Sequence, residues 1–349
     1  MRARVFVLAA LIGSTVALIA QNAGHAASKL KAGPRRQLRF GSFSQIEGAP
    51  KCDATGNVYA RPIHLDASAG DEYFLAPTKQ VTPEGKTTGS FSLTNVWQDY
   101  VGRGVFVDGK GTVYQAAIAP GGVYVVAFAQ DGSVKAKIKL ETSTDVDPWH
   151  VAVFESGRLL ISGLSGEHQR TPYTAVFEAS GKLVKQIYEP EDEDARTKAV
   201  AGDTEFTGYP GDWGNNFVDR GDVTLGSDGN AYLLHGPVAP FVYVISPTGQ
   251  VIRKMQIGVG DFSEVSRVTG RTEHPFRTIK SYQGQLAIGL ATWAHIEARV
   301  TTLDGVATDS YDLDSNEDLL ELACYDSRGF TFISVDQHGG SAYLLNAKL

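Results

Sequence analysis

The sequence predicts an all-β fold: a six-bladed β-propeller of four-stranded antiparallel blades, its ring closed by an N-terminal strand that joins the C-terminal blade. Three observations predict it. A short hairpin motif recurs six times along the chain, a second hairpin follows it five times, and the chain ends where the sixth second hairpin is due, while an unassigned strand stands at the start.

In chain order, a basic segment at Met1–Arg4 and an apolar run at Val5–Ala20 precede small residues at Gly24 and Ala26, the pattern of an export leader cleaved near Ala26. The apolar run is short for a membrane span, which needs about 20 residues. We therefore expect residues 1–26 to be a signal peptide, residues 27–37 a flexible basic tether, and residues 38–349 the propeller, with Leu38–Ile46 as its first strand. The expected location is periplasmic or secreted, with no membrane association after cleavage. Removing Arg2 and Arg4 with no acid takes the formal net charge from −7 to −9, which argues against a nucleic-acid partner.

The first hairpins align on Gly56, Gly111, Gly157, Gly229, Gly284 and Gly329, at intervals of 55, 46, 72, 55 and 45 residues. The second align on Gly85, Gly132, Gly181, Gly249 and Gly305. Asp-Gly and Asp-x-x-Gly between apolar runs are hairpin signals, because glycine takes the positive φ of the tight turn. Two hairpins make one blade, and the intervals far exceed the strand rhythm of roughly 8–12 residues found in sandwiches. In the second unit Val134, Ala136, Ile138 and Leu140 alternate with Lys135, Lys137 and Lys139, which predicts an outermost strand burying one face.

Two cysteines remain in the exported chain. Cys52 lies four residues before its turn glycine and Cys324 five before its own, so they occupy opposite faces of equivalent innermost strands. That parity suits a disulfide between the sixth and first blades, the alternative being two buried thiols.

Function is expected on one face. The hairpin turns are uniformly tight, whereas Arg61–Tyr73, Gly163–Tyr173 and Tyr188–Asn216 are elaborated loops on the opposite side of the disc. Arg103, His150, Arg220 and Arg277 precede successive inner strands around the channel mouth, and arginine offers a planar fork for carboxylate, phosphate or sulfate. Structural pairing with Asp219, Asp222 and Glu321 is the competing reading of those arginines. Trp149 and Trp213 in neighbouring loops would suit sugar stacking or peptide anchoring. Arg103, Trp149, His150, Trp213, Arg220 and Arg277 are thus the candidate ligand-binding residues. Neutral imidazoles converging from several blades would hold a divalent metal ion, and His150, His235, His274 and His295 are the candidates.

The segments Asp53–Tyr59, Asp108–Tyr114 and Ser227–Tyr232, each followed by a strand and a second hairpin, resemble the repeats of NHL-type six-bladed propellers, although the Asn-His-Leu tripeptide is absent. Propellers of this shape include interaction modules and metal-dependent lyases. No catalytic motif of those lyases matches here, so no catalytic residue is assigned. The expected function is a binding module for a peptide, a glycan or a small anionic ligand, with a histidine-lined, metal-dependent lyase or hydrolase as the competing reading.

Overall fold

The computed structural model describes residues 27–40, 45–63, 75–166, 171–187, 222–235, 241–256, 264–265, 272–273, 276–291, 295–314, 320–336 and 341–348. Six blades surround a central channel. Their strands are, in chain order, Gln45–Cys52, Val58–Ile63, Thr78–Val81 and Thr87–Phe91 in the first, and Val101–Val107, Val113–Ala119, Gly122–Phe128 and Val134–Lys139 in the second. The third holds Val146–Val153, Leu159–Ser165, Thr171–Phe177 and Leu183–Gln186, and the fourth Val223–Leu225, Ala231–His235, Phe241–Ile245 and Val251–Gln256. The fifth holds Phe276–Tyr282, Gln285–Ala291, His295–Thr302 and Ala307–Asp314, and the sixth begins with Leu320–Asp326, Gly329–Asp336 and Ser341–Lys348. Each innermost strand packs on the next, and the innermost strand of the sixth blade packs on that of the first, so the ring is closed.

The blades are joined by apolar layers between their faces. Phe106, Val151, Leu160 and Tyr243 belong to one continuous cluster through the second, third and fourth blades, and every one of them is at most 7% exposed. Burial of this kind, at about 25 cal/mol per Å² of apolar surface, is what holds neighbouring blades together.

The repeated motif is turn chemistry. The six first-turn glycines all have positive φ, between 76° and 108°. In the first blade the Asp53 carboxylate accepts hydrogen bonds from the Thr55 and Asn57 backbone N–H groups, at 2.9 and 3.0 Å, and from the Tyr59 hydroxyl at 2.9 Å. Asp108 with Tyr114, and Asp228 with Tyr232, repeat the arrangement. Burial would raise the Asp53 carboxyl, but this set of donors holds it below the ordinary carboxylate value. Asp53→Ala, which strands those donors, is expected to lower stability by about 1–3 kcal/mol. A urea titration showing a change below a few tenths of that range would contradict the role.

Ring closure follows the expected topology, with a shift in the residues that perform it. Arg36–Leu38 and Lys31–Ala32 pair antiparallel with Ser341–Lys348 and supply the outer edge of the sixth blade. Ser28–Lys29 pairs parallel with Tyr311 and Asp312 on the outer edge of the fifth. The expected tether at 27–37 is therefore strap rather than linker. Its basic, Gly-Pro composition obscured backbone pairing, which asks only for free N–H and C=O groups, together with the anchoring of Leu38 at 3% exposure. The strand expected at Leu38–Ile46 divides accordingly: Leu38 ends the strap, and Gln45 begins the first blade.

The expected outermost strand of the second blade is at Val134–Lys139, but it buries little of either face, and Val134 is 43% exposed. An edge strand packs against a neighbouring blade only where that blade reaches so far out. Lys137 lies over the Trp97 ring, 5.4 Å from its centroid, which gives this lysine a packing role.

Candidate functional site

The innermost strands do not run straight past the channel. Register shifts mark bulges between Glu47 and Lys51, Gly102 and Val105, Asp147 and His150, Phe276 and Thr278, and Leu322 and Cys324. A bulge frees residues from the ladder and re-aims their side chains, here at equivalent heights in five blades. Blades two and three meet backbone to backbone at this level. A Cβ on Gly104 would lie 2.5 Å from the Trp149 carbonyl oxygen and 2.9 Å from the His150 Cα, so only glycine allows the approach.

The bulges of the first three blades enclose a cavity of about 220 Å³ whose charged lining is Glu47, Lys51, Arg61 and Arg103, beside Trp149 and His150. Four of the charges around it form a chain. Arg103 grips Asp147 with two bonds, Nε to Oδ1 at 2.5 Å and Nη2 to Oδ2 at 3.2 Å, and its Nη1 donates to Glu47 Oε1 at 3.3 Å. The other Glu47 oxygen accepts from Arg61, whose side chain is 1% exposed. Both forks are thus held in fixed orientations, which removes most of the entropy cost of ordering an arginine around a ligand.

A second cluster crosses the channel itself. Lys51, from the first blade, donates to Asp222 Oδ1 and to the Val223 carbonyl oxygen at the head of the fourth blade, the latter at 2.8 Å. Lys280, from the fifth, donates to Asp222 Oδ2 at 2.6 Å and to the Pro50 carbonyl oxygen at 2.8 Å. Backbone N–H groups of Val223 and Ile279 complete the set of donors to the Asp222 carboxylate. Burial would raise the Asp222 carboxyl, but the Lys280 and Lys51 ammonium groups outweigh it and hold the value at about 2. Lys51 is pulled down to about 8 by burial, which Asp222 opposes and the like charge of Lys280 reinforces. Among the described residues these two clusters thus set four cations (Lys51, Arg61, Arg103, Lys280) against three carboxylates (Glu47, Asp147, Asp222), within a protein whose formal charge is −7.

Of the residues singled out in the sequence, the structure brings Arg103, Trp149 and His150 to this cavity. Arg277 sits at the bulge of the fifth blade, with its side chain outside the described residues. Trp213, Arg220 and His274 also lie outside them. His235 ends the second strand of its blade and His295 begins the third strand of the next, both on the loop side as expected, and their side chains are not among those described. Among the described residues no group of three or more His, Cys, Asp and Glu side chains gathers as a metal ion would require. The competing reading, structural pairing of the channel arginines, holds for Arg103 with other partners than those named: it pairs with Asp147 and Glu47, while Asp222 serves the two lysines. Arg61, expected at the start of a loop, lies inside the strand Val58–Ile63.

Sequence reasoning missed Glu47, Asp147 and the Lys51–Asp222–Lys280 cluster. A signal existed for Lys51. Five residues before their turn glycines the sibling strands carry Phe106, Ala152, Thr224, Ile279 and Cys324, where the first blade carries Lys51. A charge among uncharged equivalents in an innermost strand marks a buried partner.

No family model matches the chain, and no curated protein matches it. Solved structures do. One is a protein of unknown function from Dyadobacter fermentans, at 9% identity and a TM-score of 0.52, covering 92% of this chain and 100% of its own. Another is a luciferin-regenerating enzyme, at 10% identity and a TM-score of 0.51, covering 91% and 96%. A third is a candidate gluconolactonase, at 12% identity and a TM-score of 0.51, covering 91% and 94%. At such identities the likeness shows the six-bladed propeller fold. No helix among the described residues is long and apolar enough to cross a membrane.

Proposed function

We propose that this chain is an exported NHL-like propeller that works as a binding module, taking a small anionic ligand, a carboxylate before a phosphate or sulfate, into the cavity between its first three blades. The observation that carries the reading is the convergence of Lys51, Arg61 and Arg103 on one cavity, with their side chains held in place by partners, in a protein that is acidic as a whole. Arginine forks match carboxylate geometry, and Trp149 and His150 line the same space for the ligand's remaining polar or planar surface. The cavity's 220 Å³ suits a small molecule rather than a folded peptide or long glycan. Export rests on the leader pattern of residues 1–26, and it is consistent with a first strand at Ser28, two residues after the expected cut.

The test is calorimetric titration of the mature protein with succinate, gluconate and sulfate. A single saturable site is expected, and Arg103→Ala should weaken it about 10–100-fold, the loss of a hydrogen bond between charged groups. No binding by any of the three, or binding indifferent to Arg103→Ala, would overturn the reading. Hydrolysis of gluconolactone that needs an added divalent ion would turn it toward the metal-dependent alternative.

A further inference from the structure

The Cys52–Cys324 pair stands apart from the cavity's charge network, and its two members differ. Cys52 ends the innermost strand of the first blade and Cys324 lies within that of the sixth, so the pair spans the seam where the ring closes. They are free thiols in contact, with the Cys324 thiol hydrogen-bonded to Cys52. Cys52 is partly exposed, whereas Cys324 is 1% exposed, packed with Leu38, Val58, Ile333 and Leu344. Burial pushes the Cys324 thiol well above its ordinary value. A buried thiol with so little access is a poor first attacker of an external disulfide and a well-placed second one, since its neighbour's sulfur is already at hand.

We propose that Cys52 and Cys324 are a reversible redox site that exchanges with an external disulfide, Cys52 as the attacking residue and Cys324 as the resolving one. In the first step the Cys52 thiolate attacks one sulfur of the external disulfide, forming a mixed disulfide and expelling one thiolate. In the second, Cys324 gives its proton to solvent and attacks the Cys52 sulfur, expelling the other thiol. Two protein thiols are oxidised and one external disulfide is reduced to two thiols. The product bonds the first blade to the sixth at the seam. It also fixes Cys52, and therefore the adjoining Lys51 that walls the cavity and crosses the channel to Asp222.

The experiment treats the reduced, full-length mature protein with oxidised glutathione, quenches with acid, and measures intact mass and peptide maps without reduction. Wild type should lose both thiols, gain no stable adduct and yield a Cys52–Cys324 peptide. Cys324→Ser should accumulate one glutathione on Cys52, while Cys52→Ser should stay unmodified. The oxidised wild type should also melt at a higher temperature than the reduced, a comparison that needs no variant. Two free thiols persisting in wild type would overturn the site. Capture of glutathione by Cys52→Ser as fast as by Cys324→Ser would overturn the assignment of roles.

Discussion

Asp222→Ala should cost about 3–5 kcal/mol, the largest loss expected from any single substitution in this chain. The carboxylate accepts from two ammonium groups and two backbone N–H groups, and its side chain is 0% exposed. Removing it leaves Lys51 and Lys280 facing each other in the channel with no counter-charge between them. A urea titration at neutral pH measures the deficit, and a loss below about 1 kcal/mol would mean the cluster is solvated. The pH dependence gives a second check. Asp222 is held at about 2, below its unfolded value near 3.8, so its contribution is present above pH 4 and lost as pH falls through 2. Lys51 is held at about 8 against 10.5 unfolded, so between those values the unfolded chain binds more protons and the wild type gains stability as pH rises. Without the carboxylate that raises Lys51, that gain should begin at lower pH, and the variant's deficit should shrink toward alkaline conditions. Replacing all three residues together with apolar side chains should recover much of the loss, because no charge is then left unpaired.

The second large effect is expected at the strap. Leu38→Ala should destabilise the protein by about 2–5 kcal/mol, the cost of a buried leucine in a well-packed layer. Leu38 packs with Val58 and Val81 of the first blade and with Ala342 and Leu344 of the sixth, so its removal loosens the seam from both sides. Deleting residues 27–38 should do more, since it strips paired edges from the fifth and sixth blades at once. The expected readout is a broad, low-temperature transition in place of a cooperative melt. A truncated protein that melts like the parent would show that the ring closes without the strap.

Much of this architecture was legible because its signals are local. Six turn glycines, four of them preceded in the turn by Asp53, Asp108, Asp228 or Asp326, can be read from a few residues each, since the hydrogen bonds these aspartates accept from the backbone stay within the turn. The meeting of Cys52 and Cys324 followed from strand parity, and that of Arg103 and His150 from their comparable places near the starts of inner strands, although both, with the Trp149 expected in a loop, lie inside those strands. The channel cluster was hidden for the opposite reason. Asp222 is 171 residues from Lys51 and 58 from Lys280, and each stands in a different blade, so no spacing rule connects them. Glu47 was equally silent. It reaches Arg103 only because the bulge at Gly48–Pro50 turns the strand, and bulges leave little trace in hydrophobic patterning. The strap was misread because its residues are polar and its pairing is through the backbone, which composition does not report.

The strap also has a consequence in time. Residues 28–38 are synthesised before all six blades, yet their partner strands, Ala307–Asp314 and Ser341–Lys348, belong to the fifth and sixth. Until the final strand is available, the chain is an open row of blades with an unpaired leading edge, and loop-closure entropy has to be overcome across the whole sequence before that edge is satisfied. Closure of the ring therefore waits on synthesis of the strand Ser341–Lys348. A polypeptide interrupted anywhere before residue 341 would expose its seam, and with it the apolar layer around Leu38, to proteases that the finished disc excludes.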